Sequence, residues 1–296
     1  MRILLLGAGG QLGRELTDRA REGGLALTGL DHTALDICDP AAVARAMEAV
    51  RPDVVVNAAA YTAVDKAESE PQLAARINAF APAHIAERCE RYRTPLIHVS
   101  TDYVFDGTKP TPYVEQDPIA PLGVYGRTKA AGEAAVRSAA ERHVIVRTSW
   151  VYGPHGNNFL KTVLRLARER DRLGIVADQQ GCPTATRDLA GALLAAAEVA
   201  TSGDARWGTY HFAGDGATSW HGFAAEIVRA AGPRLGRSPE VSPIATADYP
   251  TAAQRPANSQ LASDLFHRTF GFRAAPWRER VAEVVDTVLA TTPTTG

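Results

Sequence analysis

One junction near the start of the chain restricts the fold more than any other: the apolar run Ile3-Leu4-Leu5-Leu6 passes at once into Gly7-Ala8-Gly9-Gly10-Gln11-Leu12-Gly13. Consecutive apolar residues suit a strand buried on both faces, as in a parallel sheet with helices on either side. A strict G-x-G-x-x-G from Gly7 fails because Leu12 holds the sixth place, yet Gly7, Gly10 and Gly13 keep a G-x-x-G-x-x-G spacing. Glycines there permit a tight turn, let the backbone approach a pyrophosphate and let the next helix pack on the strand. Leu16 and Ala20, at i and i+4, mark that helix. A second strand, Ala26–Leu30, ends in Asp31, at the spacing of about 20 residues where a dinucleotide fold bonds the adenosine ribose diol. No arginine follows at His32 or Thr33 to take a 2′-phosphate, so NADH is the expected cofactor; His32 reads as a plain loop residue, with stacking on the adenine or a small part in phosphate binding as the alternative.

The alternation continues. Asp39-Pro40 reads as the cap and first turn of a helix to Val50, and Asp53–Asn57 as a third buried strand. It runs into Ala58-Ala59-Ala60, where small side chains leave room for a flat cofactor. Two helices over about 71–80 and 83–92 precede a strand at Leu96–Val99, which leads into Ser100-Thr101-Asp102-Tyr103. A loop with several prolines, a helix from Val124 to about Arg142 and a strand His143–Thr148 complete the half. The expected class is α/β, a doubly wound parallel sheet of Rossmann type. Ligands in such sheets lie in the crevice at the carboxyl ends of the strands. The glycine loop, Asp31, Thr101 and Tyr125 converge there.

Tyr125 and Lys129 stand one turn apart on that helix, so they share a face. A free phenol titrates near pH ~10, and an adjacent ammonium favours the phenolate and lowers that value. Bringing it to about 7 takes about 4 kcal/mol of differential stabilisation. The pair therefore reads as an acid–base couple, with the Thr101 hydroxyl beside the reacting oxygen.

The 296 residues allow about two domains. The first is expected over 1–150. A smaller, interleaved substrate domain fills 151–296, with segments near 174–200 and 209–213 returning to the first. Helices are expected at about 159–170, 187–200, 220–230 and 278–291, short strands at 174–176 and 209–212, a loop over Ser238–Pro256 and a frayed tail from Thr291 to Gly296. A net charge of −1 argues against a broad nucleic-acid or anionic-membrane surface. Cys38, Cys89 and Cys182 form no C-x-x-C pair, which speaks against zinc or a disulfide framework. The apolar start is too short for a signal peptide or a membrane span, and cytoplasmic is the default location.

Taken together, several runs resemble the extended short-chain dehydrogenase/reductase superfamily and, within it, the dTDP-4-dehydrorhamnose reductase family. They are Gly10-Gln11-Leu12-Gly13, Asn57 through Asp65, Ser100-Thr101-Asp102-Tyr103-Val104-Phe105, Tyr125 through Lys129, Arg147 through Tyr152, and Arg255-Pro256 followed by Asn258-Ser259. The resemblance implies reduction of a nucleotide-linked 4-keto sugar to dTDP-β-L-rhamnose with NADH, NADPH being accepted by some relatives. It implies Tyr125 as proton donor, Lys129 on the nicotinamide ribose and Thr101 in support. It places Asp102 and Trp150 on the sugar, and Gly10, Gln11, Leu12, Asp31, Ala58, Ala59 and Ala60 on the cofactor, with Asp36 and Ile37 near the adenine. Arg255 is the expected anchor for the substrate's pyrophosphate. Some relatives dimerise through magnesium held by a first-helix glutamate and a later acidic pair. Glu15 matches the first, but the later segment reads Thr186-Arg187-Asp188, and an arginine opposes a cation there. No metal is therefore expected, and the chain is read as a monomer or homodimer. A non-catalytic, NAD(P)-binding regulatory subunit on the same fold is the competing reading.

Overall fold

The computed structural model describes residues 1–203 and 206–291. Strand β1 (Arg2–Leu6) leads through the glycine loop into α1 (Gln11–Glu22), β2 (Ala26–Leu30), α2 (Pro40–Val50) and β3 (Val54–Asn57). A short α3 (Val64–Ala67) precedes α4 (Pro71–Ala75), which passes through a π-helical segment (Arg76–Phe80) into α5 (Ala81–Arg91). Then come β4 (Leu96–Thr101), a 3-10 turn (Asp102–Val104), α6 (Val124–Ala139) and β5 (His143–Thr148). The two helices expected over 71–80 and 83–92 are thus one continuous rod. Pro82 lacks the N–H that the Asn78 carbonyl would receive in an α-helix, and the π segment absorbs that defect instead of a break.

The later elements are β6 (Val151–Tyr152), α7 (Phe159–Glu169), β7 (Arg172–Val176), β8 (Gln180–Gly181), β9 (Thr184–Ala185), α8 (Thr186–Ser202) and β10 (Gly208–His211). They continue with β11 (Thr218–Ser219), α9 (Trp220–Leu235), β12 (Glu240–Ile244), β13 (Asn258–Ser259), α10 (Asp264–Phe270) and α11 (Trp277–Thr291). The tail expected beyond Thr291 lies outside the described residues.

The main sheet is ordered β10-β5-β4-β3-β1-β2, with every pair parallel. Chain direction across the sheet reverses between β1 and β3, the position where ligands bind in doubly wound sheets. Leu12, Leu16, Leu189 and Leu193 cover one face, with α8 lying beside α1. Val43, Ile85 and Val136 cover the other. A separate core of Leu164, Phe223, Ile227, Trp277 and Val281 holds α7, α9 and α11 together.

Two expectations for the later half are corrected. The strand near 174–176 does not return to the main sheet: β7 pairs in parallel with β12 as an isolated ribbon. The segment Ser238–Pro256, expected to be loop, supplies β12 itself. Pro243 is tolerated in it because β12 has a single partner strand, so no second ladder needs its missing N–H. No helix among the described residues is long and apolar enough to cross a membrane.

Candidate active site

Leaving β1, Gly7 adopts φ 87°, and the N–H groups of Gly7 and Ala8 both donate to the Leu30 carbonyl, at 2.9 and 3.1 Å. The loop is thereby tied to the end of β2. A Cβ on Gly13 would stand 2.2 Å from the Gly7 carbonyl oxygen, so α1 can approach β1 this closely only without a side chain there. Helix α1 starts at Gly10 with no side-chain cap and no acidic residue in its first turn. Its positive end faces a hollow lined by Gly10, Gln11, Leu12 and Gly13. Unopposed N–H groups and the helix dipole suit a phosphate, so the residues present fit the pyrophosphate of a dinucleotide.

Asp31 closes the same loop from the end of β2. Its Oδ1 accepts from Thr33 Oγ1 at 2.6 Å, from Thr33 N at 2.9 Å and from Ala34 N at 3.1 Å. Those bonds, the Thr33 hydroxyl foremost, hold the carboxyl below its usual range. A hollow of about 340 Å³ lies between Asp31, Asp36, Ile37 and the Ala58–Ala60 run. Asp36 is oriented by an ion pair with Arg76 at 3.0 Å. A second hollow of about 460 Å³ shares Gly10, Ala58 and Ala60 with the first, so the two form one trench.

The far end of the trench is built from β4, the turn after it and α6. Thr101 Oγ1 accepts from Tyr103 N at 3.2 Å and donates to Asp102 Oδ1 at 3.0 Å. Helix α6 takes its cap from outside: Glu68 Oε1 accepts the N–H of Val124 at 2.8 Å. A Cβ on Gly126 would sit 2.2 Å from the Tyr103 carbonyl oxygen, and its absence lets the first turn of α6 lie on the 3-10 turn. Tyr125 is thereby brought to the end of β4, with its ring edge-on to Tyr103 at 5.4 Å.

Burial pushes the Tyr125 phenol up to about 12, against a hydrogen bond with Thr101 that works the other way. The sequence reading, in which Lys129 draws the phenol down, is corrected here for the free protein. Lys129, 2% exposed, directs its Nζ at the Val99 carbonyl oxygen, 2.7 Å away, and faces His98 Nε2 at 3.5 Å. Burial lowers the amine to about 8, with Glu133 opposing. Asp102 is pushed by burial up to about 6, held back by the Ser259 and Thr101 hydroxyls.

Trp150 and Val151 form the opposite lip. Trp150 has φ 47°, a conformation that bulky side chains rarely adopt and that marks functional sites. Its indole stacks on Trp220 with centroids 3.6 Å apart and planes 8° from parallel. Trp220, at the start of α9, lines the trench and was missed from sequence, because nothing local to it signals a stacking partner so far back in the chain. Thr148 was missed too: its Oγ1 is buried at the end of β5, against the trench, with no hydrogen-bond partner among the described residues. A hydroxyl at a strand's carboxyl end was the available signal.

The structure brings Thr101, Asp102, Tyr125, Lys129 and Trp150 together. It does not bring Arg255 to the trench lining. That guanidinium pairs with Asp65 Oδ2 at 2.7 Å and donates to the Ala253 carbonyl at 3.0 Å. At the two positions compared with the metal-bridged relatives, Glu15 accepts from Thr186 Oγ1 at 3.0 Å, and Asp188 pairs with Arg280 at 2.8 Å.

The doubly wound sheet and this trench are those of a dinucleotide-binding fold, and the relatives that follow make the class an NAD(P)H-dependent oxidoreductase of short-chain dehydrogenase/reductase type. The model of the RmlD substrate binding domain family matches residues 1–290, and the chain belongs to that family. It is 44% identical over 288 residues to a dTDP-4-dehydrorhamnose reductase of Sinorhizobium fredii, covering 96% of this chain and 97% of the relative. A crystal structure of a dTDP-4-dehydrorhamnose reductase from Clostridium acetobutylicum is similar with TM-score 0.90 and 38% identity, covering 97% of this chain and 99% of that one. The Bacillus anthracis dTDP-4-dehydrorhamnose reductase, solved in complex with NADP, matches with TM-score 0.88 and 36% identity, covering 96% of this chain and 98% of that one.

Proposed function

We propose that the protein reduces the 4-keto group of dTDP-4-dehydro-β-L-rhamnose to dTDP-β-L-rhamnose, with Tyr125 as the proton donor. The observation that carries this reading is the meeting of Thr101, Tyr125 and Lys129 at the end of a trench that runs past the glycine loop to Asp31. The names of the relatives supply the substrate.

In this reading Gly7, Gly10, Gln11, Leu12 and Gly13 hold the pyrophosphate. Asp31 holds the adenosine ribose, Asp36 and Ile37 flank the adenine, and Ala58, Ala59 and Ala60 leave room for the dinucleotide. When bound, the reduced nicotinamide supplies the hydride. Tyr125, protonated at neutral pH with its value near 12, holds a proton at its phenol oxygen and gives it up as charge grows on the sugar's carbonyl oxygen. Thr101 orients that phenol. Lys129 binds the nicotinamide ribose and, carrying a proton part of the time near neutrality, favours the phenolate left behind. Asp102 and Trp150 bind the sugar, and Arg255 reaches the nucleotide's pyrophosphate once it leaves Asp65. The Asp31 carboxylate repels a 2′-phosphate, so NADH is preferred and NADPH is the poorer cofactor.

The test is NADH oxidation across a panel of nucleotide-linked 4-keto sugars, and the dTDP-linked 4-dehydrorhamnose should be turned over fastest. Absence of turnover with every sugar, alongside measurable NADH binding, would replace the reductase with a binding-only regulator. The same protein given dTDP-glucose and NAD⁺ should form no 4-keto-6-deoxy product. Dehydration needs a base for the C5 proton, and beside Asp102 stands the Tyr103 phenol, which burial keeps protonated.

A further inference from the structure

The polar groups behind Lys129 form a chain that the roles above do not use. Asn57, at the end of β3, and His98, in the middle of β4, are both 0% exposed. Asn57 Oδ1 accepts the backbone N–H of Ala59 at 3.1 Å, which fixes the amide's orientation. Its Nδ2 therefore points at His98 Nδ1, 3.2 Å away. An amide nitrogen has only hydrogens to offer, so Nδ1 must be the ring's acceptor and a neutral imidazole carries its proton on Nε2. The ring is neutral, because burial and then the Lys129 charge lower it well below the usual range. Nε2–H faces Lys129 Nζ at 3.5 Å.

Two donors then confront each other if Lys129 is an ammonium. A neutral amine relieves the conflict: its lone pair accepts from His98 Nε2–H, while one N–H stays on the Val99 carbonyl and the other is left for the trench. We propose that Asn57 and His98 are positioning residues that lock the Nε2–H tautomer against Lys129 and so set the pH at which this lysine takes up its proton. Among the described residues, Glu133 on its own helix is the charged group that acts on Lys129, Tyr125 and Asp102 line the same hollow, and Arg147 on β5 stands behind Glu133. Arg147 pairs with Glu133 at 2.7 Å and so blunts the carboxylate that would otherwise keep the lysine charged. The consequence is a lysine that changes charge near neutral pH instead of a fixed cation. A hydrogen bond to the neutral form of a base disfavours the charged form, and one such bond corresponds to about one pH unit.

This deepens the proposed role of Lys129 but is read in the resting protein, without cofactor or substrate, so it can fail separately from that role. The ring nitrogens of His98 are observed by ¹⁵N NMR on the full chain, and the Lys129 side chain is titrated through its ¹³Cε signal, assigned with Lys129→Met. The wild-type ring should be protonated at Nε2 and bare at Nδ1. Asn57→Asp keeps the shape but offers a carboxylate oxygen to Nδ1–H, which turns the bare Nε2 towards the lysine. The lysine midpoint should rise by about one pH unit or more. His98→Leu should raise it by a similar amount, while His98→Gln, whose amide N–H₂ reaches the Nε2 position, should hold it near the wild-type value. The alkaline limb of the kcat/KM profile should follow the same order. A wild-type ring protonated at Nδ1 overturns the proposal, and the wild-type spectrum needs no variant to fold. So does a lysine midpoint that is unmoved in both Asn57→Asp and His98→Leu.

Discussion

The two walls of the trench are made of different matter. The wall at residues 7–13 and 58–60 is backbone and small side chains. The carboxylates beside it are already partnered, Asp31 by Thr33 and Ala34 and Asp36 by Arg76. The wall at the end of β4 and on α6 is made of buried ionisable groups, each moved towards its neutral form. Asp102 is up to about 6, Tyr125 up to about 12 and Lys129 down to about 8. Burial is the first cause in all three, because removing water penalises whichever form is charged. In the proposed function the first wall would hold the cofactor by shape and by fixed dipoles, while the second would keep protons where the chemistry needs them at a cost in stability.

The most damaging way to test this contrast is to delete the proton and keep the ring. Tyr125→Phe should lower kcat by about 10²–10⁴-fold, the range of general acid catalysis, as read from steady-state NADH oxidation. Retention of most activity would remove Tyr125 from the chemistry.

Asp102 tests the claim that the second wall is held against the fold's preference. Its folded value is raised from 3.8 to about 6, so the folded state binds the proton more tightly than the unfolded chain. Stability falls as pH rises through that window and is lower by about 3 kcal/mol above it. Asp102→Asn should therefore flatten the pH dependence between about pH 4 and 6 and raise the unfolding free energy at about pH 8 towards that amount. Urea unfolding at several pH values measures it, and an unchanged slope would contradict the burial argument.

Arg255 lies outside both walls. If the pyrophosphate of the substrate draws it from Asp65, Arg255→Ala should raise the KM for the sugar nucleotide about tenfold, the ~1.5–3 kcal/mol of a charged hydrogen bond. The KM for NADH should hardly move. An unaltered sugar-nucleotide KM would leave Arg255 as the structural partner of Asp65.

The smallest expected effect is on the first wall. Asp31→Ala removes the repulsion of a 2′-phosphate and should shift the kcat/KM ratio several-fold towards NADPH. The shift stays small because water and salt screen an exposed charge. A wild-type protein that already favours NADPH strongly would contradict the role given to Asp31.

The first wall was legible in the sequence because its signals are local. An apolar run, glycines at fixed spacing and an acid at the end of the next strand are written within a single βαβ unit. The second wall was legible in its residues but not in its electrostatics. The Tyr125–Lys129 spacing correctly put both side chains on one helix face, whereas the direction in which the tyrosine moves depends on burial and on where Lys129 Nζ points. The later half was least legible, since its contacts join distant segments. Strand β12 was hidden by Pro243 in a proline-rich stretch, and α10 by its shortness. Trp220 acquires its place only by stacking on Trp150, whose left-handed backbone no local rule foretells.

The division of labour between the walls is tested most directly by measuring NADH affinity and the single-turnover rate at saturating NADH side by side in Tyr125→Phe and Asp31→Ala. Tyr125→Phe should lose the rate and keep the wild-type Kd. Asp31→Ala should weaken the Kd and keep the rate. If both variants lose affinity and rate together, the walls are not separate in function, and the account is contradicted.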